Sequence, residues 1–285
     1  MNRFLKTLAI IAVALPFFLP ARMFGQAAGA APAPAGRGQA PGGRGQAPGP
    51  GRGGGRGAAA APVRGRAGAS ADITGYWVSV VTEDWRYRMV TPPKGDRPSI
   101  PVNAAAIAVL NAWDPAKDEA AGEQCKAYGA VGAMRQPGRL HITWADENTL
   151  KIDTEAGTQT RLLHFGSAPP SAEPTWQGDS LASWEYAGGR RGRGAAGAAM
   201  NGDLKVVTTH LRPGYLQKNG VPYSANAVLT EYFNRTSEPN GDSWLILTTT
   251  VDDPQYLNMP FVRSTHYKRL PDNFSGWEPE ACSAR

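Results

Sequence analysis

Most of the chain from residue 71 onward consists of short runs in which apolar and polar residues alternate. Successive side chains of a β-strand point to opposite faces, so a period of two predicts strands with two different faces. Turn signals separate the runs, among them Pro-Asn-Gly-Asp at residues 239–242. Nine strand candidates result, at residues 75–82, 139–144, 149–154, 159–165, 180–186, 204–211, 227–235, 244–251 and 261–268.

So many strands expose unpaired edges unless the sheet closes or curls strongly. The predicted fold is therefore all-β: an antiparallel lipocalin-like barrel, or a strongly curled sheet, of about 8–9 strands. One short helix is expected near residues 103–113, because Asn103 is a good N-cap, an Ala-rich run follows, and Asp114-Pro115 ends it. This helix lies in a long excursion between the first strand and the next three.

The N-terminal residues 1–30 predict a signal peptide. Arg3 and Lys6 precede an apolar run at residues 8–19, and small residues follow it. The run is short for a membrane span, and no cysteine follows it to accept a lipid. We therefore expect a periplasmic or extracellular protein without a membrane span after cleavage, the alternative being an uncleaved signal anchor.

Residues 31–70 are almost entirely Gly, Ala, Pro and Arg. Without large apolar side chains such a stretch cannot offset the conformational entropy lost on ordering, so a disordered linker is predicted. A second stretch of the same kind at residues 188–199 predicts a flexible loop. The remaining sequence, residues 71–285, has the length of a single β-barrel-like domain.

The basic charge of the chain is concentrated in these two stretches. The linker carries six arginines and no acidic residue, whereas from residue 71 onward, the loop excepted, 18 Lys and Arg face 24 Asp and Glu. The linker lacks the interleaved aromatic residues of a base-stacking platform, so no specific nucleic acid is expected. An anionic envelope polymer is the possible partner of this arm, and a solvated spacer is the alternative. The six arginines are Arg37, Arg44, Arg52, Arg56, Arg64 and Arg66.

Cys125 and Cys282 are the only cysteines of the chain. Export makes a disulfide between them the favoured prediction, and such a bond ties the excursion to the C-terminus. The alternative is a reactive thiol at Cys125, which requires a reducing compartment or a nearby histidine.

Two groups of residues resemble known families. Asp72-Ile-Thr-Gly75-Tyr-Trp77 resembles the Gly-x-Trp start of lipocalin-type barrels, in which the Trp plugs the closed end of the cup. Over roughly the last 110 residues, the chain resembles a family of uncharacterised exported bacterial proteins. That resemblance implies a β-rich exported protein and implies no reaction; Tyr232 departs from the family's usual Arg. It rests on Trp176-Gln-Gly178-Asp-Ser180, Trp184-Glu185, Asn219-Gly220-Val-Pro-Tyr-Ser224, Glu231-Tyr-Phe233 and Asp253-Pro254.

Glu231 is a first candidate for a functional side chain. It shares a strand face with Leu229 and Phe233, so an inward orientation would desolvate the carboxylate and raise its pKa unless a cation pairs with it. Such an acid beside imidazoles can act as a general acid or base. The alternative is a solvent-exposed strand face and a simple cross-strand pair. Expected partners are Arg212, Lys218, His210 and His266.

All four histidines lie in strand-like runs, and a closed barrel offers an interior in which they can converge. Imidazoles from separate strands can hold Zn or Cu, although no local ligand pair is present. They can instead line a polar ligand pocket with Glu231 and Thr208, or they are ordinary residues on the solvent face. The candidate ligand-binding set is His141, His164, His210, His266, Arg212 and Glu231, and the alternative metal set is the four histidines.

No established catalytic motif is present, and no catalytic residue or cofactor is assigned beyond the Zn or Cu alternative. The aromatic-rich residues 83–88 and the loop at residues 219–223 are candidates for the rim of a cup, with turn chemistry and packing as the alternative.

The sequence favours a secreted or periplasmic protein that binds a small apolar or amphipathic molecule. One alternative is a barrel enzyme that uses Glu231 with His210 or His266. The other is a non-catalytic envelope or matrix component attached through its basic arm. Whether the protein is an enzyme stays open, with binding preferred.

Overall fold

The structure is a computed structural model that describes residues 65–97, 99–167, 170–186 and 202–285. The expected signal peptide, residues 31–64 of the linker and the 188–199 loop lie outside these residues. The described strands are β1 (Gly75–Val80), β2 (Arg139–Asp146), β3 (Thr149–Thr154), β4 (Gln159–Phe165), β5 (Asp179–Tyr186), β6 (Gly202–Thr209), β7 (Gly214–Gln217), β8 (Val221–Tyr223), β9 (Val228–Ser237), β10 (Ser243–Asp252) and β11 (Phe261–Arg269).

Nine of these strands form a closed barrel in the order β1-β11-β10-β9-β6-β5-β4-β3-β2, with β2 paired to β1. The remaining two, β7 and β8, pair with each other as a separate hairpin. The predicted all-β barrel is thus confirmed. Closure satisfies the backbone groups that an open sheet would expose at its edges.

The barrel is mixed, so the prediction of a purely antiparallel sheet is wrong at one position. Strands β4 and β5 run parallel, with Leu163, His164 and Phe165 opposite Ser180, Leu181 and Ala182. A parallel pair needs a crossover connection of roughly a dozen residues instead of a tight turn. Residues 166–178 have that length, which the sequence pattern alone did not identify as a crossover.

Four α-helices are described, α1 (Trp85–Arg88), α2 (Ala104–Ala112), α3 (Pro115–Ala120) and α4 (Ala130–Ala133), with 3₁₀ turns at Arg66–Gly68 and Lys126–Tyr128. Helix α2 confirms the predicted helix, and the Asn103 side chain accepts a hydrogen bond from the Ala106 N–H at 3.1 Å. The other three have at most six residues and are too short to show a helical period. Within the described part of the chain, no helix has the length and hydrophobicity that a membrane crossing requires.

A continuous hydrophobic cluster fills the barrel, and every barrel strand contributes one or two inward-facing residues to it. Trp77, Ile142 and Leu245 are among its fully buried side chains. The Trp77 indole N–H donates to the Ile73 carbonyl at 3.0 Å. Barrels of about this strand number have interiors just wide enough for their own side chains. The barrel interior is therefore core.

A second cluster closes one end of the barrel. It joins the excursion and the β7–β8 hairpin to the barrel through Leu229, Val251 and Phe261. We call residues 99–134 and 211–227 the cap. Asp253 anchors the cap, because its carboxylate accepts hydrogen bonds from the Ser224 N–H and hydroxyl, both at 2.7 Å. Residues that carried the family resemblance thus hold the cap in place.

The C-terminal tail, residues 270–285, runs along the outside of the barrel. Glu155 binds it, since its carboxylate accepts from the Glu278 N–H at 2.8 Å and its carbonyl accepts from the Glu280 N–H at 2.9 Å. Beyond these contacts Cys282 forms the predicted disulfide with Cys125, 157 residues away in sequence. The tail is therefore attached to the barrel and to the excursion.

Candidate functional site

Glu231 points into the barrel, where its side chain is 0% exposed. Its two carboxylate oxygens accept hydrogen bonds from the Arg161 guanidinium, at 3.1 Å to Nη1 and 2.6 Å to Nη2. None of the four expected partners forms an ion pair with Glu231 in the described residues: Arg212, for example, pairs with Glu123 and lies 4.4 Å from the Trp176 ring centroid. Sequence reasoning missed Arg161, although its position on one face with Leu163 and Phe165 was a usable signal.

The four histidines lie on the outside of the barrel and do not converge. His141 alternates with the buried Leu140 and Ile142, and His164 and His266 likewise lie between buried neighbours. Because strand side chains alternate, these imidazoles face outward. His210 follows β6 in a left-handed backbone conformation, with φ of 55°.

Each of three histidines has its own polar partner. His210 Nδ1 lies 3.0 Å from Asp179 Oδ2, His266 Nδ1 lies 3.3 Å from Glu83 Oε2, and His164 Nδ1 lies 3.3 Å from Thr149 Oγ1. Across residues 65–97, 99–167, 170–186 and 202–285, no three His, Cys, Asp or Glu side chains are grouped so that they could hold a metal ion. The Zn or Cu alternative and the Glu231 site with His210 or His266 both need a convergence that the structure does not form.

The Asp179 carboxyl has a pKa below its ordinary value. Burial alone would raise the pKa, but hydrogen bonds from Ser171 and His210, together with the charge of His210, outweigh the burial. Asp179 is thus ionised at neutral pH and holds His210 against β5. His210 lines none of the cavities described below.

A cleft of about 440 Å³ lies between the excursion, the β7–β8 hairpin and the C-terminal tail. We call it the tail cleft. Its walls come from residues 87–91, 135–139 and 216–218, with Glu155, Glu278 and Glu280 on the tail side. Residues 87 and 88 belong to the aromatic-rich segment that the sequence indicated as a rim.

Arginines build one wall of the tail cleft. Arg88 donates through Nε to the Arg135 carbonyl at 2.9 Å and pairs with Glu83. Burial lowers the pKa of Arg135 to about 10, partly offset by Asp84 at 3.4 Å, so this guanidinium stays cationic at neutral pH. Each of the two guanidiniums is thus paired with a carboxylate, so this wall is fixed in position and carries little net charge.

Glu155 and Lys218 also line the tail cleft; Glu155 has an ion-pair partner, and Lys218 has none among the described residues. Arg139 Nη1 donates to both Glu155 oxygens, at 2.9 and 3.0 Å, so the buried carboxylate of the cleft is already neutralised. The Lys218 ammonium lies 5.5 Å from the Tyr128 ring centroid and forms no ion pair with any described residue. Lys218 is therefore a cation that remains available to a ligand.

Apolar side chains lie at the mouth of the same cleft. Met89 is 57% exposed and Val90 is 62% exposed, which is high for large hydrophobic residues. Together with the Tyr87 and Tyr128 rings they form an apolar surface next to the arginine wall. The arrangement suits a molecule with an apolar part and an anionic group.

Two of the histidines line smaller cavities of about 280 Å³ each. His141 borders a pocket with Tyr76 and Trp277, and His266 borders a groove with Trp244 and Ile246. Arg212, Glu231 and His164 line none of these cavities. The candidate ligand-binding residues are thus dispersed over the barrel and the cap.

No protein-family model, curated protein or solved structure matches this chain. The resemblances to lipocalin-type barrels and to the exported bacterial family therefore stay predictions that rest on the quoted residues.

Proposed function

We propose that this protein is an exported binding protein whose ligand is an amphipathic small molecule with an anionic head group, bound in the tail cleft. The observation that carries the proposal is the combination of the unpaired Lys218 with the exposed Met89 and Val90 in one cleft of about 440 Å³. Small-molecule sites typically measure about 300–1,000 Å³ and combine apolar walls with a few polar groups.

The barrel interior is a poor alternative for the ligand. Hydrophobic side chains fill it, and the Arg161–Glu231 ion pair crosses it with both side chains fully buried. A ligand there would have to displace well-packed side chains, which costs several kcal/mol. We therefore place the ligand site on the outside of the barrel and not in its interior.

Export is supported by the predicted signal peptide together with the Cys125–Cys282 disulfide, since disulfides persist in oxidising compartments. The same location gives the protein access to amphipathic molecules of the envelope or the medium. The role of the basic arm in attachment remains a prediction about residues outside the described chain.

The proposal is tested by fluorescence titration with 1-anilinonaphthalene-8-sulfonate, an amphipathic anion. Lys218→Ala should weaken its binding about tenfold, equivalent to about 1.4 kcal/mol, because the sulfonate loses its unpaired cation. Met89→Ser should also weaken binding, because the aromatic rings of the probe lose an apolar contact. Lys117→Ala, which removes an exposed lysine of helix α3 outside the cleft, is the matched control and should bind like the wild type.

Unchanged affinity in both Lys218→Ala and Met89→Ser would place the probe elsewhere and refute the tail cleft as the site. Native mass spectrometry of the protein purified from its own host then identifies the retained molecule. An anionic amphiphile lost from Lys218→Ala and kept by Lys117→Ala is the expected result.

A further inference from the structure

The C-terminal tail separates two cavities. Glu278 and Glu280 line the tail cleft, whereas Trp277 and Pro279 line the pocket of about 280 Å³ that also contains His141. Alternate residues on opposite sides are what an extended segment provides. The hydrogen bond from the Glu278 N–H to Glu155 fixes this arrangement, so Trp277 is held against the outer face of the barrel.

Aromatic rings form two walls of the second pocket, which we call the aromatic pocket. The Tyr76 and His141 rings stack with centroids 4.0 Å apart and planes 5° apart. The Trp277 ring is tilted against both, with an angle of 56° to Tyr76 and 61° to His141 and centroids 6.0 and 6.2 Å away. Asp153, Gln159 and Thr160 add polar atoms to the same pocket.

The three aromatic residues carry polar atoms that the described residues leave without a hydrogen-bond partner. These atoms are the Tyr76 hydroxyl, both ring nitrogens of His141 and the Trp277 indole N–H, and the three side chains are half-buried at the pocket. Burial lowers the pKa of His141, so at neutral pH the imidazole offers one donor and one acceptor nitrogen. The pocket thus presents flat apolar faces with hydrogen-bonding groups at their edges.

The pocket also favours an uncharged ligand. The Asp153 carboxylate accepts from the Thr160 hydroxyl at 2.6 Å and pairs with the Lys151 ammonium at 2.8 Å, so it is already satisfied. No Lys or Arg lies among the residues that line the pocket in the described chain. An anionic polymer would therefore find no unpaired cation there.

We propose that the aromatic pocket binds a ring of a neutral oligosaccharide. The C–H face of a sugar is apolar and stacks on aromatic rings, while its hydroxyls donate and accept at the ring edges, which matches the Tyr76, His141 and Trp277 groups. A volume near the lower limit of ligand sites, roughly 300 Å³, suits one ring of a longer chain. This proposal is independent of the ligand of the tail cleft.

The test is isothermal titration of the full mature protein with four hexasaccharides: cellohexaose, maltohexaose, laminarihexaose and chitohexaose. The wild type should bind at least one of them. Trp277→Ala should weaken that binding at least tenfold because a stacking face is lost, and Tyr76→Phe, which keeps the ring and removes the hydroxyl, should weaken it less. Trp85→Ala, at an exposed tryptophan outside the pocket, should leave the affinity unchanged.

Absence of binding of all four sugars to the wild type at millimolar concentration would overturn the proposal. Equal affinity in wild type, Trp277→Ala and Tyr76→Phe would overturn it as well. Circular dichroism and thermal melting check that the variants are folded. If Trp277→Ala does not fold, the sugar affinity of Tyr76→Phe alone tests the proposal. Lys218→Ala should keep its sugar affinity, which separates this site from the tail cleft.

Discussion

Glu231 lies at the boundary between the two hydrophobic clusters. On the inward face of β9 it stands between Leu229, which belongs to the cap cluster, and Phe233, which belongs to the barrel cluster. Burying two charges costs several kcal/mol each, and the bidentate hydrogen bonds to Arg161 offset that cost only while both partners are present. The pair therefore links β4 to β9 across the interior.

Replacing Glu231 by Leu should destabilise the protein by about 3–5 kcal/mol, because Arg161 is then a buried charge without a partner. Urea denaturation measures the loss. The double variant Arg161→Met/Glu231→Leu should recover most of it, since neither charge remains. A single variant within about 1 kcal/mol of the wild type would show that the pair is dispensable.

The period of two placed Glu231 on one strand face with Leu229 and Phe233 and left open whether that face is inward. The identity of its partner did not follow from the sequence, because Arg161 is 70 residues away. Only the order in which β4, β5, β6 and β9 adjoin brings the two strands close. The histidines fail to converge for a different reason: the barrel closes as expected, but His141, His164 and His266 alternate with buried neighbours and face outward.

At the scale of elements, the C-terminal tail lines both cavities, with two residues in each. Its sequence has no hydrophobic period, so it was not assigned to any element. The short helices and the β7–β8 hairpin were missed for a similar reason, since three to six residues cannot establish a pattern. The longer strands and helix α2 were recognised because their alternation or capping is local.

Cys282→Ser should lower stability by about 2–5 kcal/mol, since the disulfide restricts the unfolded chain over a span of 157 residues. The tail should also become sensitive to limited proteolysis, and binding of the anilinonaphthalene probe should weaken. Wild-type protein treated with a reductant is the matched comparison and should behave like the variant. A variant as stable and protease-resistant as the oxidised wild type would contradict this prediction.

At the scale of the whole molecule, several carboxylates have lowered pKa values. A hydrogen bond from Lys126 is the main cause at Glu123, and hydrogen bonds outweigh burial at Asp72 and Asp179. These carboxylates lie in the excursion, in the segment before β1 and in β5. Acidification therefore weakens contacts in several parts of the fold at once. Closure of the barrel was predictable from the number of strands, whereas the single parallel pair was not.

Stability should be constant at neutral pH and fall as the pH drops below the ordinary carboxyl values, 3.8 for Asp and 4.5 for Glu. The unfolded chain takes up protons first because its carboxyls have the higher pKa, so protonation favours unfolding. Urea midpoints between neutral and acid pH measure the slope. Asp179→Asn should flatten it, and a stability that rises on acidification would reverse the assigned sign.

Residues 277–280 alternate between the two cavities, and the disulfide fixes Cys282. The number of residues before Cys282 therefore determines which side chains face which cavity. Removal of Ala281 would shift the preceding residues by one position relative to the disulfide and exchange the two sets of side chains. Trp277 would then turn toward the charged cleft, and a glutamate would enter the aromatic pocket. An insertion or deletion of one residue in this part of the tail would thus change the lining of both cavities at the same time.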